Sequence, residues 1–139
     1  MIAWLARREH SRSEVAAKLE RKGCAPEVAA EVVSALAAQG LLSDERFAET
    51  LVRNRRRRGY GPVRIRKELA DKGLPAEEVD RFVALGGDEW VDEIEQVRRK
   101  KFGQALPRSY EERARQARFL QYRGFTFDQI QRALRWRDD

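Results

Sequence analysis

Apolar side chains along this chain recur every three or four positions and almost never alternate in twos, which is the period of an α-helix and not of a strand. Val15 and Leu19; Ala29, Val32, Val33 and Leu36; Phe47, Ala48, Leu51 and Val52; Trp90, Val91, Ile94 and Val97; and Ile130, Ala133 and Leu134 each predict one buried helical stripe. Between the stripes one phrase is repeated: Leu19-Glu-Arg-Lys-Gly23, Leu69-Ala-Asp-Lys-Gly73 and Leu120-Gln-Tyr-Arg-Gly124, roughly 50 residues apart. Each copy places a basic residue in the last helical turn, then a glycine where a left-handed cap carries no steric penalty. Start signals agree. Ser11 with Glu14, Ser109 with Glu112 and Thr126 with Gln129 form capping boxes, and Pro62 suits the first turn of the second Gly-terminated helix. After each glycine a further helix is predicted: Pro26 to about Gln39, Pro75 to about Leu85 and Phe127 to about Arg137.

The pattern predicts an all-α protein of tandem three-helix repeats, residues 1–42, 43–85 and 86–139, with Gly86-Gly87 as a hinge before the last. The first unit is short at its N-terminus, since Ile2, Leu5 and Ala6 open an apolar stripe almost at the initiator methionine. Units of about 45 residues bury too little to stand alone and should lean on their neighbours, giving an elongated, curved array. A single compact bundle is the alternative.

Composition narrows the function. The 139 residues are 42% hydrophobic and 37% charged, and 29 basic against 23 acidic side chains leave a formal charge of +6, which favours an anionic partner. No stretch is apolar enough to span a membrane, and the start, MIAWLARREH, becomes charged too early for a secretory signal, so a cytoplasmic protein is expected. Cys24 is the one cysteine and His10 the one histidine; neither a disulfide nor a metal site nor a cofactor is expected. Gly59-Tyr60-Gly61 lacks the lysine and hydroxyl of a phosphate-binding loop, and no group of residues resembles a reaction site, which argues against an enzyme.

The densest charge run is Arg53-Asn-Arg-Arg-Arg-Arg58. On a helix buried through Phe47, Ala48, Leu51 and Val52, Arg53, Arg56 and Arg57 fall on the opposite face, free to meet a partner, while Arg55 and Arg58 lie back over the stripe. The ordinary reading of such a run is a solvated face. In the next helix Arg64 and Lys67 have acidic residues four positions on, Glu68 and Asp71, whereas Arg66 has none and is the better candidate for an outside anion. Tyr60 can stack on a base or pack against a helix, packing being the commoner use. The run Arg98-Arg-Lys-Lys101 follows Asp88, Glu89, Asp92 and Glu93, a polarity the helix dipole favours; Arg99 and Lys100 point away from the Trp90 stripe. Trp4, Trp90 and Trp136 are expected in the core or between repeats.

The segment from Asp44 through Phe47-Ala48, Gly59-Tyr-Gly61 and Glu68-Leu69-Ala-Asp-Lys72-Gly73 resembles the RecX family, as does the opening Leu5-Ala-Arg-Arg-Glu-His-Ser11 with Glu14 and Lys18-Leu19. The third repeat carries the likeness more loosely, through Phe119, Leu120, Arg123, Gly124 and Phe125. The resemblance implies a cytoplasmic, monomeric, non-enzymatic modulator of the RecA recombinase. It would act mainly as an inhibitor, binding along the RecA filament groove in DNA repair, recombination and the SOS response. On that reading Arg53, Arg56, Arg57, Tyr60, Arg64, Arg66, Lys67, Arg99 and Lys100 are the candidate contacts to RecA or, without sequence preference, to single- or double-stranded DNA. The competing reading is an independent DNA-binding protein whose helix-turn-helix runs from Ser11 to Gln39. The first turn of its recognition helix, Pro26-Glu-Val-Ala-Ala30, offers none of the side chains that read base edges.

Overall fold

A computed structural model describes residues 3–135; among them there are eight α-helices, two 3-10 turns and no strand. A 3-10 turn at Ala3–Ala6 leads to α1 (Arg12–Arg21), α2 (Pro26–Ala38), α3 (Asp44–Arg57), α4 (Pro62–Asp71) and α5 (Ala76–Phe82). A second 3-10 turn, Asp88–Trp90, precedes α6 (Val91–Phe102), α7 (Tyr110–Tyr122) and α8 (Phe127–Ala133). The repeated glycines stop α1, α4 and α7 with φ of 103°, 93° and 99°. Both halves of the capping box are made at Ser11–Glu14 and at Thr126–Gln129. At Ser109 only the hydroxyl half is made, because the Glu112 carboxylate turns to the Arg108 N–H instead. Two helices end earlier than their patterns predict. α5 stops at Phe82, with Val83 turned inward and 2% exposed, and α8 stops at Ala133, followed by Arg135 at φ 52°. Ile2 and Trp136 lie outside the described residues.

Internal contacts divide the chain into two compact units, and the division runs through α3 and α4. The first takes residues up to Val52 with Glu68–Phe82. Here Val15, Val33 and Leu42 form a buried cluster, packed by Trp4, Leu5, Ala16, Leu19 and Leu36. His10 is buried against the edge of Trp4, with ring centroids 4.9 Å apart; burial, then the nearby Arg8 charge, holds its pKa below the ordinary histidine value.

The second unit takes Arg53–Lys67 with the chain from Val83 onward. Its centre is Trp90, 1% exposed, edge-on to Phe125 at 6.4 Å and donating its indole N–H to the Ala84 carbonyl at 3.1 Å. The buried line of α6 continues through Ile94 and Arg98, so Val91, one residue round from Trp90, is 47% exposed and not core as its spacing predicts.

Candidate functional site

The described positions of all nine candidate residues fall in the second unit, and the geometry starts at the Gly59–Gly61 turn. After α3 the Gly59 N–H closes on the Arg56 carbonyl and Tyr60 N–H on that of Arg55, both at 3.0 Å, with Gly59 at φ 87°. α4 then begins against the end of α7: Gly61 N–H donates to the Arg123 carbonyl at 2.7 Å and Val63 N–H to that of Gly124 at 2.9 Å. Donors that a helix start leaves orphaned thus meet acceptors that a helix end leaves orphaned. The approach excludes side chains, for a Cβ on Gly61 would sit 2.6 Å from the Gly124 carbonyl and the Phe125 nitrogen. Tyr60 is thereby fixed among cations. The Arg64 guanidinium lies 4.0 Å from its ring centroid and that of Arg123 5.0 Å, and Arg123 also donates to the Arg58 carbonyl at 2.9 Å.

Beside this turn a cleft of about 410 Å³ opens between the end of α3, α6 and α7. Val97 and Phe119 are its apolar lining, and Arg57, Arg58, Lys100, Lys101 and Arg123 are its cations, with the Lys101 ammonium 5.5 Å from the Phe119 ring centroid. Glu93 and a sixth cation, Arg56, also line it but are bonded to each other at 2.7 Å. Among the described residues no group of His, Cys, Asp or Glu is placed to hold a metal ion, and no helix is long and apolar enough to cross a membrane.

The structure sorts the sequence candidates. Arg53 and Arg57 are exposed on α3 as the helical step predicts, and Arg57 reaches the cleft together with Lys100. Arg56 is not free. The start of α6 covers it, so that it pairs with Glu93, reaches Glu89 at 3.9 Å and lies 4.2 Å over the Trp90 ring. Arg66 is not left for an outside anion either, because it donates to the Val83 carbonyl at 2.6 Å, just past the end of α5. Arg64 is held on Tyr60, and Lys67 is exposed on α4 away from the cleft lining. Arg99 is tied to Glu95 at 2.9 Å and lines a different cavity, with Leu85 and Arg132. Arg58, expected to lie back over the α3 stripe, is exposed at the cleft.

Three of the cleft's cations, Arg58, Lys101 and Arg123, escape a helix-by-helix reading; their shared signal is a basic residue at or just past a helix end. The same run hides a structural residue. Arg98 is 1% exposed and bonds Glu95 and the Gln104 and Ala105 carbonyls. The Arg98 hydrogen bond, helped by Arg99, outweighs burial and keeps the Glu95 carboxyl below its ordinary pKa.

Short helices in threes, closed by glycines and joined end to start, define an all-helical protein of tandem three-helix domains. Family models described as the first, second and third three-helix domains of RecX match residues 1–36, 43–81 and 88–134 in that order. The chain belongs to the RecX family. It is 45% identical to a protein named Regulatory protein RecX from Pseudomonas fluorescens, over 96% of this chain and 86% of that one. It is 44% identical to the protein of the same name from Halorhodospira halophila, over 97% and 84%. The crystal structure of RecX from Lactobacillus salivarius matches with a TM-score of 0.78 at 21% identity, over 96% of this chain and 89% of that one, a likeness of fold.

Proposed function

We propose that this protein regulates the RecA recombinase, mainly as an inhibitor, by binding along the groove of the RecA filament in the cytoplasm, and that it catalyses no reaction. What supports the contact surface is one observation: five cations from three separate helix ends converge on one cleft with an apolar lining. A phosphate chain or an acidic protein groove is the partner such a surface fits. Repeats over residues 1–42, 43–85 and 86–139 would let weak contacts to successive RecA protomers reinforce one another through effective concentration. Contact with DNA alone is then weak, indifferent to sequence and steeply reduced by salt.

The test replaces Arg57, Lys100 and Lys101 together by Ala, sparing Arg56, whose loss would uncover Glu93 and Trp90. Co-sedimentation with nucleotide-activated RecA on single-stranded DNA is measured at a fixed salt that abolishes binding to DNA alone, since exposed charges are screened over about 10 Å at 0.1 M. The variant should keep its helical spectrum and need at least about tenfold more protein to inhibit RecA ATP hydrolysis, a loss of about 1.4 kcal/mol. A folded variant that inhibits like the parent removes the cleft from the contact; a parent that neither binds nor inhibits RecA removes the function.

A further inference from the structure

Each Gly-terminated helix has a start that can receive a neighbour's end and an end that can dock on a neighbour's start. Two such joints are made inside the chain. The end of α4 rests on the start of α1: the Ser11 hydroxyl donates to the Lys72 carbonyl at 2.8 Å, and the Lys72 ammonium meets Glu14 at 3.2 Å. Gly73 lies so close that a Cβ there would stand 2.4 Å from that of Ser13. The end of α7 rests likewise on the start of α4 through Arg123, Gly124 and Gly61. One end and one start remain, the end of α1 at Lys22-Gly23 and the start of α7 at Ser109–Glu112.

These two carry the same chemistry as the first joint, Lys-Gly on one side and Ser-x-x-Glu on the other. The end is already in the mating conformation, and the start matches it through the Ser109 hydroxyl, while the Glu112 carboxylate lies on the Arg108 N–H. Cys24 N–H closes on the Leu19 carbonyl at 3.0 Å as Leu74 N–H closes on that of Leu69 at 3.2 Å, and Gly23 has φ 103°. The Ser109 hydroxyl accepts from Glu112 N–H at 3.1 Å as Ser11 does from Glu14 N–H at 3.1 Å. Lys22, Gly23 and Glu112 are exposed, and nothing described lies within 4 Å of where a Gly23 Cβ would be. Tyr110 stands beside this start as an aromatic left 69% exposed among the described residues.

We propose that the end of α1 in one copy docks on the start of α7 in a second copy. The Ser109 hydroxyl donates to the Lys22 carbonyl, the Lys22 ammonium pairs with Glu112, and Gly23 lies against Glu111, which holds the place of Ser13. The two surfaces differ, so a copy that has made one contact still offers the other surface, and copies add head to tail. This departs from the monomer expected of the sequence. The joint is small and its ion pair exposed, so assembly rises with protein concentration and falls with salt.

Sedimentation velocity tests this without RecA or DNA, so its failure leaves the regulator reading standing. The parent should sediment faster with rising concentration up to about 1 mM. Lys22→Glu and Glu112→Lys should each raise the concentration needed at least about tenfold. The double variant restores opposite charges across the joint and should recover association. Under oxidised glutathione, Glu111→Cys, paired with the native Cys24, should give disulfide ladders beyond the dimer, while Glu45→Cys, with the same cysteine count, should not. A parent that stays monomeric throughout, single variants that associate like the parent, or ladders equal in both cysteine variants would overturn the proposal.

Discussion

The joint between α4 and α1 is made by side chains, whereas the joint between α7 and α4 is made by backbone. In the first the cap is Ser11, whose one hydroxyl serves its own helix and the carbonyl of the other, while Glu14 gathers Arg8 at 2.9 Å and Lys72 at 3.2 Å. In the second the cap is Gly61, which has no side chain to offer, so its own N–H and that of Val63 reach the other helix's carbonyls directly. A hydroxyl cap keeps the neighbouring helix at side-chain distance and lets charge tune the contact. A bare cap brings the backbones together and leaves the contact answerable to sterics alone.

The sharpest way to break this contrast is Gly61→Ala. Its methyl group would meet main-chain atoms at 2.6 Å, none of which can rotate aside, so a loss of about 3 kcal/mol or more is expected in urea unfolding. An alanine accepted within about 0.5 kcal/mol would mean the backbones are not in contact. Gly73→Ala should cost less, about 1–3 kcal/mol, from its φ of 93° and its clash with Ser13. Because that clash is with a side chain, Ser13→Gly should relieve part of it, giving a coupling of at least about 0.5 kcal/mol in a double-mutant cycle. Additive effects would assign the whole loss to backbone conformation.

The smallest effect is electrostatic and belongs to the first joint. Burial raises the Glu14 carboxyl, but hydrogen bonds from Arg8, the Ser11 N–H and Lys72 prevail and hold its pKa down to about 2. A carboxylate depressed on folding stabilises fully above its ordinary value of 4.5, and that contribution is lost as pH falls toward about 2. Glu14→Gln should cost about 1–2 kcal/mol at neutral pH and flatten the stability profile between pH 4.5 and 2. An unchanged profile would show that another carboxylate governs the acid response.

Helix starts and stops were legible because they are written locally: Ser11 lies three residues before Glu14, Thr126 three before Gln129, and a glycine follows each last turn. What local sequence does not carry is which arginines remain in water. Arg53, Arg56 and Arg57 look alike in any window, yet only Arg56 finds Glu93 and Trp90 above it, since the packing of α6 on α3 decides that. Arg66 is claimed by the Val83 carbonyl, just past the end of α5. The cleft was half legible for a related reason. Arg57 and Lys100 follow from the helical step, but Arg58, Lys101 and Arg123 join them only through the meeting of helix ends remote in sequence.

The buried Arg98 bears on how this chain is digested. Between α6 and α7 the backbone leaves regular structure, and three further basic residues, Arg99, Lys100 and Lys101, stand next to it as targets for a trypsin-like protease. Cleavage requires the segment to be drawn out extended, which means pulling a guanidinium away from Glu95 and the Gln104 and Ala105 carbonyls. Arginine has no neutral form at any working pH in which to leave. The end of α6 is therefore a cut site made slow by one salt-bridged side chain, and digestion after Lys101 reports the opening of that lock and not the mere exposure of a loop.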